Sequence, residues 1–480
     1  MIGDTRNSRK PNILLIMTDQ QRYDQIGYAS NGSFYTPNLD RLARQGIIFS
    51  HAYSTSTVCV PSRCSLLTGI LHHRLPTASG SHEPTAGSFD FLALKEGCWT
   101  LPRYLRALGY RTALIGKMHF YPIRARHGFD YMQTCEHLTE HAGYGPGDMD
   151  DYHTWLMWNG RADWRGTHMF GPGQEAQQAD YAKHGRMQPF YYEAKFHPTN
   201  WIAERSIEFL RERSAGEPFF LVCSFLHPHT PYDPPEPYAS MFNPDDIQLP
   251  QVDFEANTSL PDPFGSEMPA KSQYSEKNCR RALAYIKGLI KQIDDSVGDI
   301  LQHVDLSNTY VFFTSDHGDY SGHRGLLGKV PWYPFEDLSR VPLFCAGPTV
   351  PQDQQVTDLV QNYDFATTCL DLVGAPQPND VFDATSLRNY FEQRSGDPNR
   401  VVYCATTPAL VCPMIREGDL KYIRLGDDGP ELLFDLANDP AESHSLAEEP
   451  RYAEYVTRFR ALLSWQLARG VPDFPPSLAV

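Results

Sequence analysis

Five short stretches carry side chains that could do chemistry together, and four of them close an apolar run. Thr18-Asp19-Gln20 closes the run Asn12–Met17, and Ser315-Asp316-His317-Gly318-Asp319 closes Thr309–Thr314. Carboxylates at two such ends, with the amide oxygen of Gln20 beside one of them, suit a hard divalent cation. Tyr110–Ile115 delivers Gly116-Lys117-Met118-His119. In an extended segment, alternation puts Lys117 and His119 on one side, where both could face one oxyanion. Pro218–Phe225 delivers His227-Pro228-His229. The fifth stretch, Cys59-Val60-Pro61-Ser62-Arg63, stands just before a helix expected over Ser65–Gly69. That places residue 59 near a helix N-terminus, whose N–H groups favour anionic character. Each stretch alone has a plainer reading: a helix-capping aspartate, a solvated lysine and histidine, a hydrogen-bonded histidine, or a buried free cysteine beside a proline turn.

The elements that must position these residues are legible from pattern. Continuous apolar runs of strand length read as buried parallel strands, and ligands in open α/β sheets gather at the carboxyl ends of such strands. Helices are expected from Thr36 to Ala43, Leu101 to Leu108, Trp201 to Arg211 and Tyr274 to about Val304. The expected fold is therefore α/β, a large central mixed and mostly parallel sheet flanked by helices. After the polar linker around Ser395-Gly396-Asp397-Pro398, short strands are expected at 401–405, 413–416, 420–425 and 432–436, then a last helix through Trp465. These read as a smaller C-terminal antiparallel α+β subdomain, dividing the chain at 10–395 and 396–480. Residues 137–198 turn to Gly, Asp, Tyr, Trp and His without periodicity and read as an insertion over the site. Its Trp155, Trp158 and Trp164 either shape a specificity pocket or pack the loops.

At 480 residues the chain can bury a deep core and hold a real cleft. The net charge of −16, with no basic cluster interleaved with aromatics, argues against nucleic acid as a partner. Ten cysteines without C-x-x-C pairs argue against zinc ribbons and disulfide frameworks. Met1–Lys10 is polar, and Ile13–Met17 is too short for a signal core or a membrane span. The expectation is a cytoplasmic protein with reduced thiols and no membrane partner. Whether it forms a homo-oligomer is left open.

The five stretches, with Thr36-Pro37-Asn38-Leu39-Asp40 and Leu67-Thr68-Gly69, resemble the type I sulfatases of the alkaline phosphatase superfamily over nearly the whole chain. The resemblance implies that a maturation enzyme oxidises Cys59 to formylglycine, whose hydrated aldehyde attacks the sulfur of a sulfate monoester. It implies a cation site at Asp19, Gln20, Asp316 and His317 with residue 59 beside it. Calcium is the expected ion given mainly oxygen ligands, with magnesium and manganese as alternatives. The family pair at the first site is commonly Asp-Asp, and here it is Asp19-Gln20. Arg63 is expected to lower the cost of the alkoxide, and Lys117 and Lys329 to neutralise sulfuryl oxygens. His229 is expected to protonate the leaving alcohol with Lys329, and His119 to take the proton that lets the aldehyde re-form. Many relatives carry a histidine before Gly325, where this chain has Arg324 preceded by His323. The rival reading is a phosphonate monoester or phosphodiester hydrolase, whose members tend to have neutral hydroxyl residues where this chain has Lys117 and His119. A third reading is a non-catalytic anion-binding protein, should Cys59 never be oxidised.

Overall fold

The computed structural model describes residues 10–76, 94–95, 97–120, 122–136, 149–161, 187–249, 274–377, 381–406, 412–426 and 429–472. Its central element is β1 (Asn12–Asp19), every residue of which is buried. The strand sends Ile13, Leu15 and Met17 into one hydrophobic cluster and Leu14 and Ile16 into another. A continuous apolar run is what a strand covered on both faces requires, because successive side chains alternate between them.

The other strands are β2 (Gly46–Tyr53), β3 (Arg111–Gly116), β4 (Tyr131–Thr134), β5 (Phe219–Pro228), β6 (Thr309–Ser315), β7 (Leu343–Ala346) and β8 (Gln354–Gln361). They form one sheet in the order β4-β3-β5-β1-β6-β7-β2-β8. All pairings are parallel except those of β7, which runs antiparallel to β6 and β2. Both expected classes of element are present: a mixed, mostly parallel sheet, and a separate antiparallel sheet in the order β12-β11-β10-β9. The second sheet is built from β9 (Val401–Ala405), β10 (Pro413–Glu417), β11 (Leu420–Arg424) and β12 (Glu431–Asp435).

Helices close both faces of the large sheet. Glu276–Leu301 lays Ile286, Leu289, Ile290, Ile293, Val297 and Ile300 inward at helical spacing, and Ser275 caps its start by accepting from the Asn278 N–H. Its buried Asp294 accepts from the Asn38 and Leu39 N–H groups, satisfying the start of helix Pro37–Arg44. In the 137–198 insertion, residues 137–148 and 162–186, with Trp164, lie outside the described residues. Helix Asp151–Trp158 is described, and there Trp155 packs on Tyr152 and Phe196 while Trp158 is 78% exposed. Trp155 thus packs the fold. Among the described residues no helix is long and apolar enough to cross a membrane. All ten cysteines are buried and free.

One glycine sets the register of the site. Gly116 ends β3 at φ +105, and a Cβ there would lie 1.9 Å from the Ser224 carbonyl oxygen. Gly116→Ala therefore combines a backbone conformation that L side chains avoid with a collision against β5. A loss of about 3 kcal/mol is expected, read as a lower melting temperature than wild type.

Candidate active site

The carboxyl ends of β3, β5, β1 and β6 lie side by side, so four chain segments far apart in sequence deliver their side chains to one place. Asp19, Cys59, Asp316 and His317 are all buried, and their ligand atoms lie within 4.8 Å of one another. His317 donates Nδ1–H to the Gly318 carbonyl at 2.8 Å, which leaves Nε2 as the lone-pair nitrogen facing the Cys59 Sγ at 3.1 Å. Lys329 Nζ lies 2.8 Å from the same sulfur.

Cys59 is the first residue of helix Cys59–Thr68, all ten residues of which are buried. The helix thus starts earlier than the pattern after the motif predicts. Pro61 fits because its missing N–H falls in the first turn, and Gly69 ends the helix at φ 70. Ser62 donates to the Asp316 carbonyl at 2.6 Å, tying the helix start to the end of β6.

Arg63 is almost fully buried and its guanidinium is shared out: Nε to Asp316 Oδ2, Nη2 to Asp19 Oδ2, and Nη1 to the Lys117 carbonyl and Ser224 Oγ. Four donors on four strand ends hold the carboxylates in place, so Arg63 acts on charge through Asp19 and Asp316. Lys117, fully buried, pairs with Asp19 Oδ2 at 2.6 Å, yet the alignment leaves Nζ without a hydrogen bond. An ammonium in that state is prepared for an anion.

The expected alternation of Lys117 and His119 is not what places them. The strand ends at Gly116, Met118 turns into the core and His119 takes φ 62. The turn is fixed instead by Glu136, whose Oε1 accepts from the Met118 and His119 N–H groups, each at 2.8 Å. Nothing in the motif announces Glu136, because its partners are backbone groups.

The electrostatics favour negative charge at residue 59. Burial and Asp19 push the Cys59 thiol up, but Lys117, Lys329 and His317 outweigh them and its pKa is lowered. Burial also works to raise Asp19, and Lys117, His229, Arg63 and His317 together hold it well below the usual carboxylate range. For Lys329, burial is outweighed by Cys59 and Asp19, so its pKa is raised. Burial, followed by the charge of Lys329, lowers His229.

Several residues are assigned elsewhere. A second buried group, His197, His227 and Asp233, stands beside the site. Its two imidazoles stack at 4.5 Å with planes 30° apart, and Asp233 Oδ1 lies 3.1 Å from His227 Nε2. His323 and Arg324 turn away from Cys59. His323 pairs with Asp337 at 3.0 Å, and Arg324 donates to the Ala441 and Glu442 carbonyls over the ring of Phe335.

A buried cysteine at a helix start faces two carboxylates and a histidine at the carboxyl ends of a mixed α/β sheet, and comparison with known proteins places the chain in the alkaline phosphatase superfamily. A family model described as "Sulfatase" matches residues 11–375, and one described as "N-sulphoglucosamine sulphohydrolase, C-terminal" matches residues 328–468. The chain belongs to the sulfatase family and is a sulfuric ester hydrolase. It is 30% identical over 479 residues to an arylsulfatase of Clostridium perfringens, covering 95% of this chain and 94% of that protein. It is also 30% identical over 460 residues to a choline-sulfatase of Rhizobium meliloti, covering 92% and 83%. The solved phosphonate monoester hydrolase of Agrobacterium radiobacter superposes with a TM-score of 0.76 at 24% identity over 95% of each chain, a likeness of fold.

Proposed function

We propose that the chain hydrolyses a sulfate monoester to an alcohol and inorganic sulfate, with Cys59 carried as formylglycine and a divalent cation held by Asp19, Gln20, Asp316 and His317 beside residue 59. The observation that carries this reading is the charge pattern around residue 59. Lys117, Lys329 and Arg63 all bear on a buried position whose thiol is already pulled toward the anion. The donor set fits a hard cation: two buried carboxylates, one imidazole Nε2 and an amide, within 4.8 Å for the residues of the buried group. Calcium is the preferred ion.

When bound, the cation lowers the cost of negative charge on the nucleophilic and sulfuryl oxygens. Formylglycine supplies a hydroxyl nucleophile with a second hydroxyl on the same carbon, which allows release without a water attack. Lys117, with its unfilled donors, and Lys329 are placed to hold sulfuryl oxygens. His229 donates Nδ1–H to the Thr230 carbonyl at 2.7 Å, so its Nε2 accepts from the Lys329 ammonium at 3.2 Å. The proton available to a leaving oxygen therefore rests on Lys329, and His229 orients it. His119, its pKa lowered by burial and then by Lys117, is neutral and is the candidate to receive the proton released when the aldehyde re-forms.

The test is sulfate release from a panel of aryl, carbohydrate and choline sulfates, before and after chelation. Asp316→Asn should lower both cation content and rate, because a neutral amide binds a divalent cation less well and Arg63 loses a charged partner. An unchanged rate in chelated, cation-free enzyme rules out the cation reading.

A further inference from the structure

Gln20 stands where the chain leaves β1, in the left-handed region at φ 67, with its side chain 1% exposed. A non-glycine residue held there inside a site is a strain that its surroundings must over-determine. Two contacts do so. The Gln20 backbone N–H donates to Asp316 Oδ1 at 3.0 Å, and its side-chain nitrogen donates to Asp319 Oδ2 at 2.5 Å.

Asp319 is itself 1% exposed and receives four hydrogen bonds. Gln20 Nε2 and the Tyr232 hydroxyl reach Oδ2, while the Ser321 N–H and hydroxyl reach Oδ1. Those four donors occupy both carboxylate oxygens, so Asp319 meets each of these neighbours as an acceptor. The two ends of a glutamine amide are told apart by the chemistry of their partners. An acceptor-only carboxylate demands the NH2 end. The Gln20 carbonyl oxygen is therefore turned away from Asp319, and no described residue donates to it. Its backbone, meanwhile, is fastened to the carboxylate of Asp316, a member of the buried Asp19–Cys59–Asp316–His317 group.

We propose that Asp319 is a positioning residue for the cation site: it locks the Gln20 amide so that the carbonyl oxygen serves as a ligand beside Asp19, Asp316 and His317. This rests on the cation reading of that group. A carboxylate at position 20 would present an oxygen whichever way it turned. An amide presents oxygen in one orientation and repelling N–H groups in the other, so only an amide needs such a lock. Asp319 also bonds Tyr232, whose hydroxyl accepts from the Gly328 N–H at 3.1 Å beside Lys329. Activity would mix the two arms, so the deciding measurement is binding.

Calcium ion is titrated calorimetrically into the metal-stripped full-length chain, as wild type, Gln20→Ala, Asp319→Asn and the double variant. Asparagine at 319 offers one oxygen and one NH2, which invites the Gln20 amide to flip. Each single variant is expected to weaken calcium binding by about tenfold or more, and the double variant no further than Gln20→Ala alone. Losses that multiply in the double variant overturn the lock, and so does full affinity in Gln20→Ala. Should Asp319→Asn fail to fold by near-ultraviolet circular dichroism, Gln20→Met joins Gln20→Ala. Both must lose affinity alike, and wild-type affinity in either overturns the proposal. Wild-type protein that binds none of calcium, magnesium and manganese removes the cation reading and the lock together; additive variants in a protein that does bind one remove the lock alone.

Discussion

Cys59→Ala is expected to lose at least about a thousandfold in turnover while its melting curve stays close to that of wild type. The fold should survive because the ties across the strand ends run through Arg63 and Ser62, neither of which needs the sulfur. Active wild-type preparations are expected to give a tryptic peptide about 18 Da lighter than the cysteine form, the mass of an aldehyde replacing the thiol. Cys59→Ser retains one hydroxyl and should stall after a single transfer, because it lacks the second hydroxyl that expels the product. Full activity in a preparation whose every molecule carries the thiol would remove residue 59 from the nucleophile's role.

The sequence announces this site through the residues proposed to act on ligands and is silent about those that act on the backbone. Asp19, Lys117, His229, Asp316 and His317 all follow apolar runs, and a run of strand length says where its carboxyl end lies. Strands β1, β3, β5 and β6 are legible because burial on both faces leaves an unbroken apolar signature, whereas β4, four residues of which three are half-buried, carries no such run. The antiparallel β7 is only four residues long, and a run so short carries no direction. The contacts that the motifs do not show have one cause: their partners are remote. Arg63 reads as a charge beside the nucleophile, but its hydrogen bonds go to positions 44, 54, 161 and 253 residues away. Glu136 and Asp319 look like surface acids until the chain folds them onto N–H groups, hydroxyls and an amide.

Lys117→Ala is expected to cut sulfate-ester turnover by at least about a hundredfold, the usual loss when one preorganised transition-state contact is removed. The effect should be large because this ammonium is fully buried, sits 2.6 Å from Asp19 and has hydrogen bonds to spare. Removing it also leaves Asp19 with less opposing charge, so cation binding should be no weaker than in wild type and the loss should appear in turnover. The same residue is the one expected to separate the two reaction classes that share this fold. Wild type is expected to hydrolyse an aryl sulfate with higher kcat/KM than the matching phosphate monoester or phosphonate. Both esters must be measured on one preparation of known formylglycine content, since incomplete maturation scales every rate together. A phosphonate preference would move the activity to the rival class and leave the fold and the cation ligands in place.

The arrangement of strand ends also imposes an order in time. The helix that starts at Cys59 is encoded before position 70, but the chain that covers it arrives much later: β5 near 220, β6 near 310 and Lys329 after that. On a ribosome, β1 and the segment bearing Cys59 emerge while the strands that flank β1 are still unmade, and β1 has no partner on either side. Once β5 and β6 add to it, Cys59 is left 1% exposed within a helix that is buried throughout. A catalyst that must grasp the Cys59–Arg63 backbone can do so only during that interval. With Cys59 carried as formylglycine, as proposed, the share of active molecules is expected to depend on how long that interval lasts.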